Sequence, residues 1–130
     1  MKNRQIALLF SHTLTLSQEK DVLETLEVRE THKLPKEEQA LWSQVPVDKD
    51  LSFDAYLKST KAFLTNTLNT GDFVLIQGDF GATYHMIQFC KSQSFTPIYS
   101  VNRRVASEKI EDGKLIKYSE FEHECFREYV

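Results

Sequence analysis

The sequence has no excess of positive charge: 16 Lys and Arg stand against 19 Asp and Glu, a formal net charge of -3. Long nucleic acid held through bulk positive charge is thereby excluded, because such binding needs many cations to neutralise phosphates. Cysteine is scarce. Cys90 and Cys125 lie far apart, with no Cys-x-x-Cys and no paired-histidine spacing. They read as reduced, mostly buried thiols of a cytoplasmic protein rather than a disulfide or a metal site. No apolar run approaches the ~20 residues of a membrane span, and Met1-Lys2-Asn3-Arg4 enters a short apolar segment with no small-residue cleavage site after it. Neither a membrane anchor nor a signal peptide is expected. Internal repeats and low-complexity tracts are missing as well. What remains is 130 residues, 41% hydrophobic and 27% charged. That is the profile of one ordinary globular domain, expected to run from residue 1 to residue 130.

Ile6-Ala7-Leu8-Leu9-Phe10 is a continuous apolar run of strand length, the pattern of a strand covered on both faces. After Ser11-His12-Thr13, a helix is expected from Ser17, its N-cap, to about Val28, with Leu16, Leu23 and Leu26 on one face. A short strand from Arg29 to Leu34 precedes Pro35, which suits the first turn of a helix over Lys36 to Ser43. Phe53, Leu57, Thr60, Leu64 and Leu68 recur at helical spacing from Asp50 until Gly71. Phe73-Val74-Leu75-Ile76 is a second apolar strand. The helix that follows, to about Ser92, is apolar nearly all round and reads as sandwiched between layers. Pro97 to Val101 is a further buried strand.

The period then changes. Asp112-Gly113 between Arg104–Glu111 and Lys114–Tyr129 is a strong hairpin signal. In the second arm Phe121, His123, Cys125, Arg127 and Tyr129 are expected on one face. Glu120, Glu122, Glu124 and Glu128 are expected on the other, in solvent, with Phe126 the exception. Alternating strands and helices predict an α/β fold: a Rossmann-like parallel sheet flanked by helices, with an antiparallel β-hairpin at its edge.

Ligands of such sheets bind beyond the carboxyl ends of the strands. Two loops emerge there. Gln77-Gly78-Asp79-Phe80-Gly81-Ala82-Thr83 holds two of the four glycines ahead of a helix N-terminus, which favours an anion. Tight packing of the turn on the sheet explains the same glycines, and Asp79 serves equally as a helix cap. Ser11 and His12 follow the first strand, and histidine is the side chain most ready to move a proton near neutral pH. Arg103 and Arg104 are expected just past the fourth strand, with planar donors for a phosphate; His123 and Arg127 could reach one from the last strand. For each of these, a surface ion pair is the competing reading. His32, His85 and Trp42 read as structural. No Walker loop, full Gly-x-Gly-x-x-Gly, His-Glu-x-x-His or acidic metal cluster occurs, so neither cofactor nor metal is expected.

The run Val74-Leu75-Ile76-Gln77-Gly78-Asp79-Phe80-Gly81-Ala82-Thr83-Tyr84, with Leu9-Phe10-Ser11-His12 before it and Pro97-Ile98-Tyr99-Ser100 and Arg103 after it, resembles a small family. This is the stand-alone Csx-type accessory family of type III CRISPR systems, related to the CRISPR-associated Rossmann-fold domains. The resemblance spans the whole chain, including the Trp42 helix and the strand with His123, Phe126 and Arg127. It implies a ring nuclease: a homodimer that binds cyclic tetra-adenylate across its twofold axis and cleaves it without metal to linear di-adenylate ending in 2′,3′-cyclic phosphate. The carried-over roles make His12 the acid or base and set Arg103, aided by Arg104, against the phosphate charge. Gly78, Gly81 and Thr83 would cradle the phosphate. Ser11, Gln77 and Asp79 would contact ribose or adenine, with Phe80, Ala82, His123 and Arg127 completing the ligand contacts. Two alternatives stand beside it: a module that sequesters the messenger uncut, and a nucleotide-binding regulatory domain.

Overall fold

Burial without interruption sets the centre of the sheet. Ile6 to Leu9 and Phe73 to Ile76 are buried at every position, so their side chains can only be covered from both faces. The computed structural model describes residues 4–130; the expectation drawn from Met1–Asn3 lies outside them. In chain order the elements are β1 (Arg4–Leu9), α1 (Leu16–Glu24), β2 (Val28–Lys33), α2 (Lys36–Ser43), α3 (Phe53–Tyr56), α4 (Lys58–Thr67), β3 (Phe73–Ile76), α5 (Phe80–Ser92), β4 (Thr96–Glu111) and β5 (Lys114–Glu128).

The fold is mixed α/β, with a five-stranded sheet in the order β2-β1-β3-β4-β5. The first three pairings are parallel, and β4–β5 is an antiparallel hairpin at the edge. Strand alternation splits the core in two. Ile6, Leu8, Phe73, Leu75 and Ile98 pack with Val22 of α1 on one face. On the other, Ala7, Leu9, Val74 and Ile76 meet Trp42 of α2, Leu64 of α4 and Met86 of α5. Each fully buried Leu, Ile or Met contributes about 1.5–3 kcal/mol relative to an exposed one. Among the described residues, no helix is long and apolar enough to cross a membrane.

Several sequence expectations change. Helix α1 is capped by Thr15, not Ser17: Thr15 accepts from the N–H of Gln18, whose side chain answers to the N–H of Thr15. This capping box satisfies two end groups at once and sets the cap two residues earlier than expected. Leu16 is 85% exposed and Leu23 is also exposed, so the buried face is Gln18 and Val22 instead. Val28 already belongs to β2. The expected helix from Asp50 is two pieces, because Leu57 leaves helical geometry between α3 and α4, and Ser52 caps the first. Helix α5 is not covered all round: Phe80 is 95% exposed, and Tyr84 is exposed too. Cys125 is exposed while Cys90 is buried, and both thiols are free.

The largest change lies in the hairpin. Strand β4 continues through Arg103 and Arg104 to Glu111, so the two arginines sit within a strand rather than beyond one. Val101 pairs with Cys125 but Asn102 pairs with His123, which leaves Glu124 as an extra residue on β5. A bulge of this kind reverses the alternation beyond it. Phe126 therefore joins His123 on the α1 face, ring centroids 4.5 Å apart. Tyr129 and Arg127 turn to the opposite face, where Tyr129 stacks on Tyr99 at 4.6 Å and Arg127 lies over it. The single face expected for His123, Cys125, Arg127 and Tyr129 does not exist.

Candidate functional site: a cavity over a buried polar chain

Loop 77–83 is held by packing. The carbonyl of Gln77 accepts the indole N–H of Trp42 at 3.1 Å, and its side-chain Oε1 accepts the N–H of Ser100 at 2.8 Å. A Cβ on Gly78 would stand 2.9 Å from Trp42 Nε1, and one on Gly81 would stand 2.9 Å from the Phe53 ring. Both glycines are therefore required by neighbouring aromatic side chains. Asp79 caps α5, accepting from the N–H of Ala82 at 3.0 Å. Ala82 is buried in the core, and the Thr83 hydroxyl is buried with no hydrogen-bond partner. Phe80 points into solvent.

The arginines are spoken for. Arg103 reaches Glu122 at 3.1 Å and Glu124 at 2.8 Å, one carboxylate on either side. Strand alternation puts Arg104, across from Phe121, on the face that also carries Asn102 and His123. Arg127 donates to the Tyr99 hydroxyl at 3.2 Å on the far side of the sheet. The histidines set aside as structural have local partners: His32 meets Gln5 at 2.6 Å, and His85 meets Asp54 at 3.4 Å.

His12 occupies a different setting. It follows β1 on an exposed loop, its ring edge-on to Phe10 at 5.4 Å, and it borders two cavities. The smaller, about 290 Å³, also takes in Ser11, Lys33 and Gln39. The larger, about 540 Å³, extends from His12 across Thr15, Ser17 and Gln18 of the first turn of α1 to Asn102, Phe121 and His123 of the hairpin. None of residues 77–83 lines either one. Hydroxyls, two imidazoles, two amides, aromatic rings and the carboxylate of Glu122, itself paired with Arg103, thus converge where α1 presents its free N–H groups.

Beneath this cavity runs a chain of buried polar groups. His123, its side chain 3% exposed, has Nε2 at 2.7 Å from Asp21 Oδ2 on α1 and Nδ1 at 2.6 Å from Ser100 Oγ. Ser100 Oγ also accepts from Gln18 Nε2 at 3.2 Å and contacts Asn102 Oδ1 at 2.9 Å. Of these groups, sequence reasoning singled out His123 alone. The Thr15-x-x-Gln18 capping signature was a readable clue. Nothing local joins Asp21 to His123, 102 residues away. Among the described residues, no group of three or more His, Cys, Asp or Glu is placed to hold a metal.

A family model described as "Uncharacterized protein MJ1673 family" matches residues 4–127. The chain belongs to the MJ1673 family. A protein of Methanocaldococcus jannaschii, "Uncharacterized protein MJ1673", is 48% identical over 122 residues, which cover 94% of each chain. No solved structure matches. The stretch shared with the MJ1673 family contains β1 to β4, nearly all of β5, and every residue of the cavity and the buried chain.

Proposed function

We propose that the chain binds a cyclic oligoadenylate, cyclic tetra-adenylate in the first instance, and cleaves it as a ring nuclease. The observation that carries the reading is the cavity of about 540 Å³ bordered by His12 at the carboxyl end of β1. We also read the fold as Rossmann-like. The order β2-β1-β3-β4 with parallel neighbours supports this, and in such sheets the ligand sits at the β1/β3 switch point. That is where the His12 loop leaves the sheet.

The contents of the cavity suit the chemistry. Phe10 and Phe121 offer faces on which an adenine can stack. Thr13, Thr15 and Ser17 bring hydroxyls to the N-terminus of α1, which favours a phosphate. Cleavage is attack of a ribose 2′-oxygen on the adjacent phosphorus, breaking the bond to the 5′-oxygen and leaving a 2′,3′-cyclic phosphate. His12 takes the 2′-hydroxyl proton or returns one to the leaving 5′-oxygen. Charge on the phosphorane is offset by the α1 N–H groups and by Arg104 rather than by Arg103, which Glu122 and Glu124 hold. Two copies related by a twofold axis would match a ring of the same symmetry, and the exposed Phe121, Ile110 and Leu115 on one face of the hairpin give a second copy apolar surface.

The test is incubation of the protein with cyclic tetra-adenylate in EDTA, followed by anion-exchange separation of the products. Linear di-adenylate supports the nuclease. Intact ligand that co-elutes with the protein identifies a sequestering module instead, and intact ligand that does not bind overturns both.

A further inference from the structure

Ser100 Oγ has one proton to give and two lone pairs to receive with. Gln18 fills one lone pair, and its direction is fixed because its own Oε1 accepts from Thr15 N at 2.9 Å. The remaining lone pair and the single proton are shared between Asn102 and His123. Two arrangements satisfy every atom. In the first, Ser100 donates to Asn102 Oδ1 and His123 Nδ1–H donates to Ser100, so the Asp21–His123 pair holds two protons. In the second, Asn102 is turned over so that its Nδ2 donates to Ser100. Ser100 then donates to His123 Nδ1, and the pair holds one proton.

We propose that Asn102 is a ligand-reading side chain of the large cavity, and that the buried Asp21–His123–Ser100 chain sets whether it offers that cavity a donor or an acceptor. In the first arrangement Asn102 turns its NH₂ group outward, toward a phosphate oxygen or a ring nitrogen. In the second it turns its carbonyl oxygen outward, toward an exocyclic amine. One proton on the pair is thus coupled to the polarity of an exposed amide. The ligand class rests on the reading proposed above; the coupling within the protein does not. Besides the pair itself, the charged and titratable groups about it are Glu122 and Arg104 from the hairpin and His12 across the cavity. Neutral Ser100 and Asn102 face it from β4, and the Phe126 ring covers the imidazole.

Nuclear magnetic resonance of the free protein tests the coupling without any ligand, by following the His123 ring and the Asn102 side-chain amide through a pH titration. The two are expected to move together, and Ser100→Ala is expected to abolish the movement of the amide while the ring still titrates. An amide that stays still while the ring titrates overturns the proposal, as does an amide that moves equally in Ser100→Ala. Asn102→Asp, a change at an exposed position, supplies a second reading. A carboxylate can only accept from Ser100, which favours the first arrangement, so at one fixed pH the His123 Nδ1 signal is expected to move toward its proton-bearing position; adding Ser100→Ala is expected to reverse most of that movement, and an undiminished movement in the double variant overturns the coupling. With cyclic tetra-adenylate, Asn102→Ala is expected to weaken binding about tenfold or more. Unchanged binding refutes the ligand-reading role, whereas no binding by the unaltered protein refutes the ligand class alone.

Discussion

The indole of Trp42 lies so close to Gly78 that a Cβ on the glycine would stand 2.9 Å from Nε1. The same N–H donates to the carbonyl of Gln77, so the ring is tied in place and cannot swing away without losing that bond. Gly78→Ala is therefore expected to destabilise the fold by about 1–3 kcal/mol, the range for overpacking a filled site. Urea unfolding followed by the fluorescence of Trp42, the one tryptophan, measures it. A midpoint equal to that of the unaltered protein would show that the turn has room to spare.

Thr83 separates a site role from a structural one. Its hydroxyl is buried without a partner, which costs stability, and valine has nearly the same shape without the polar atom. Thr83→Val is expected to raise stability by about 1 kcal/mol and to leave ligand binding intact. Lost binding in a variant that melts no lower would return Thr83 to the ligand.

Asp79 is expected to act as a helix cap. Asp79→Ala removes the acceptor for Ala82 N–H and should lower stability by about 1 kcal/mol, with Asp79→Asn nearly neutral. Thermal melts of the two variants decide the matter. If asparagine costs as much as alanine, the charge rather than the cap is what position 79 requires.

The two cysteines should differ in reactivity. Burial pushes the Cys90 thiol from an ordinary value of 9.0 up to about 12, while Cys125 is exposed. At about pH 8 a thiol reagent is expected to label Cys125 alone in the folded protein and both residues in denaturant, because the thiolate is the reactive form. The sign for stability follows. A raised folded value leaves stability intact below the ordinary thiol value and erodes it as pH climbs from there toward 12, since the unfolded chain releases the proton first. Rapid labelling of Cys90 in the folded protein would mean that its helix opens readily.

His12 and Arg103 make a paired test of the nuclease reading. His12→Ala is expected to slow cleavage about 100-fold, as for loss of a proton-transferring group. Arg103→Ala removes two exposed ion pairs, so stability is expected to change by no more than about 1 kcal/mol and cleavage to stay near full rate. Rates from single-turnover product separation check both. A slow Arg103→Ala enzyme with an unaffected His12→Ala enzyme would exchange the two roles.

Much of the architecture could be read from short stretches. The unbroken apolar runs at Ile6–Leu9 and Phe73–Ile76 became the buried central strands, since only a doubly covered strand tolerates them. Asp112 and Gly113 both take positive φ, 52° and 74°, as a two-residue hairpin turn demands, and their dipeptide announced it. The glycines of the 78–81 turn were visible too, but their reason was not: Trp42 and Phe53 arrive from elsewhere in the chain, and only packing reveals what a Cβ would strike.

The candidate site was legible in part. His12 fell where a residue after a buried parallel strand must fall. Arg103 and Arg127 did not, because β4 runs on past Arg103 instead of ending before it and the extra residue Glu124 in β5 turns Arg127 to the other face. Periodicity is a local signal, and a single inserted residue inverts it without changing any propensity.

The sequence by itself determined the α/β class, the edge hairpin and the lack of any bulk positive charge, because each follows from local pattern or from counting. Tertiary structure alone decided which polar residues meet. Asp21 joins His123, and Ser100 joins Gln18, through strand register and helix placement that bring together residues 102 and 82 apart in sequence. Contacts at that range depend on how the whole sheet closes, and no stretch of chain carries that information alone.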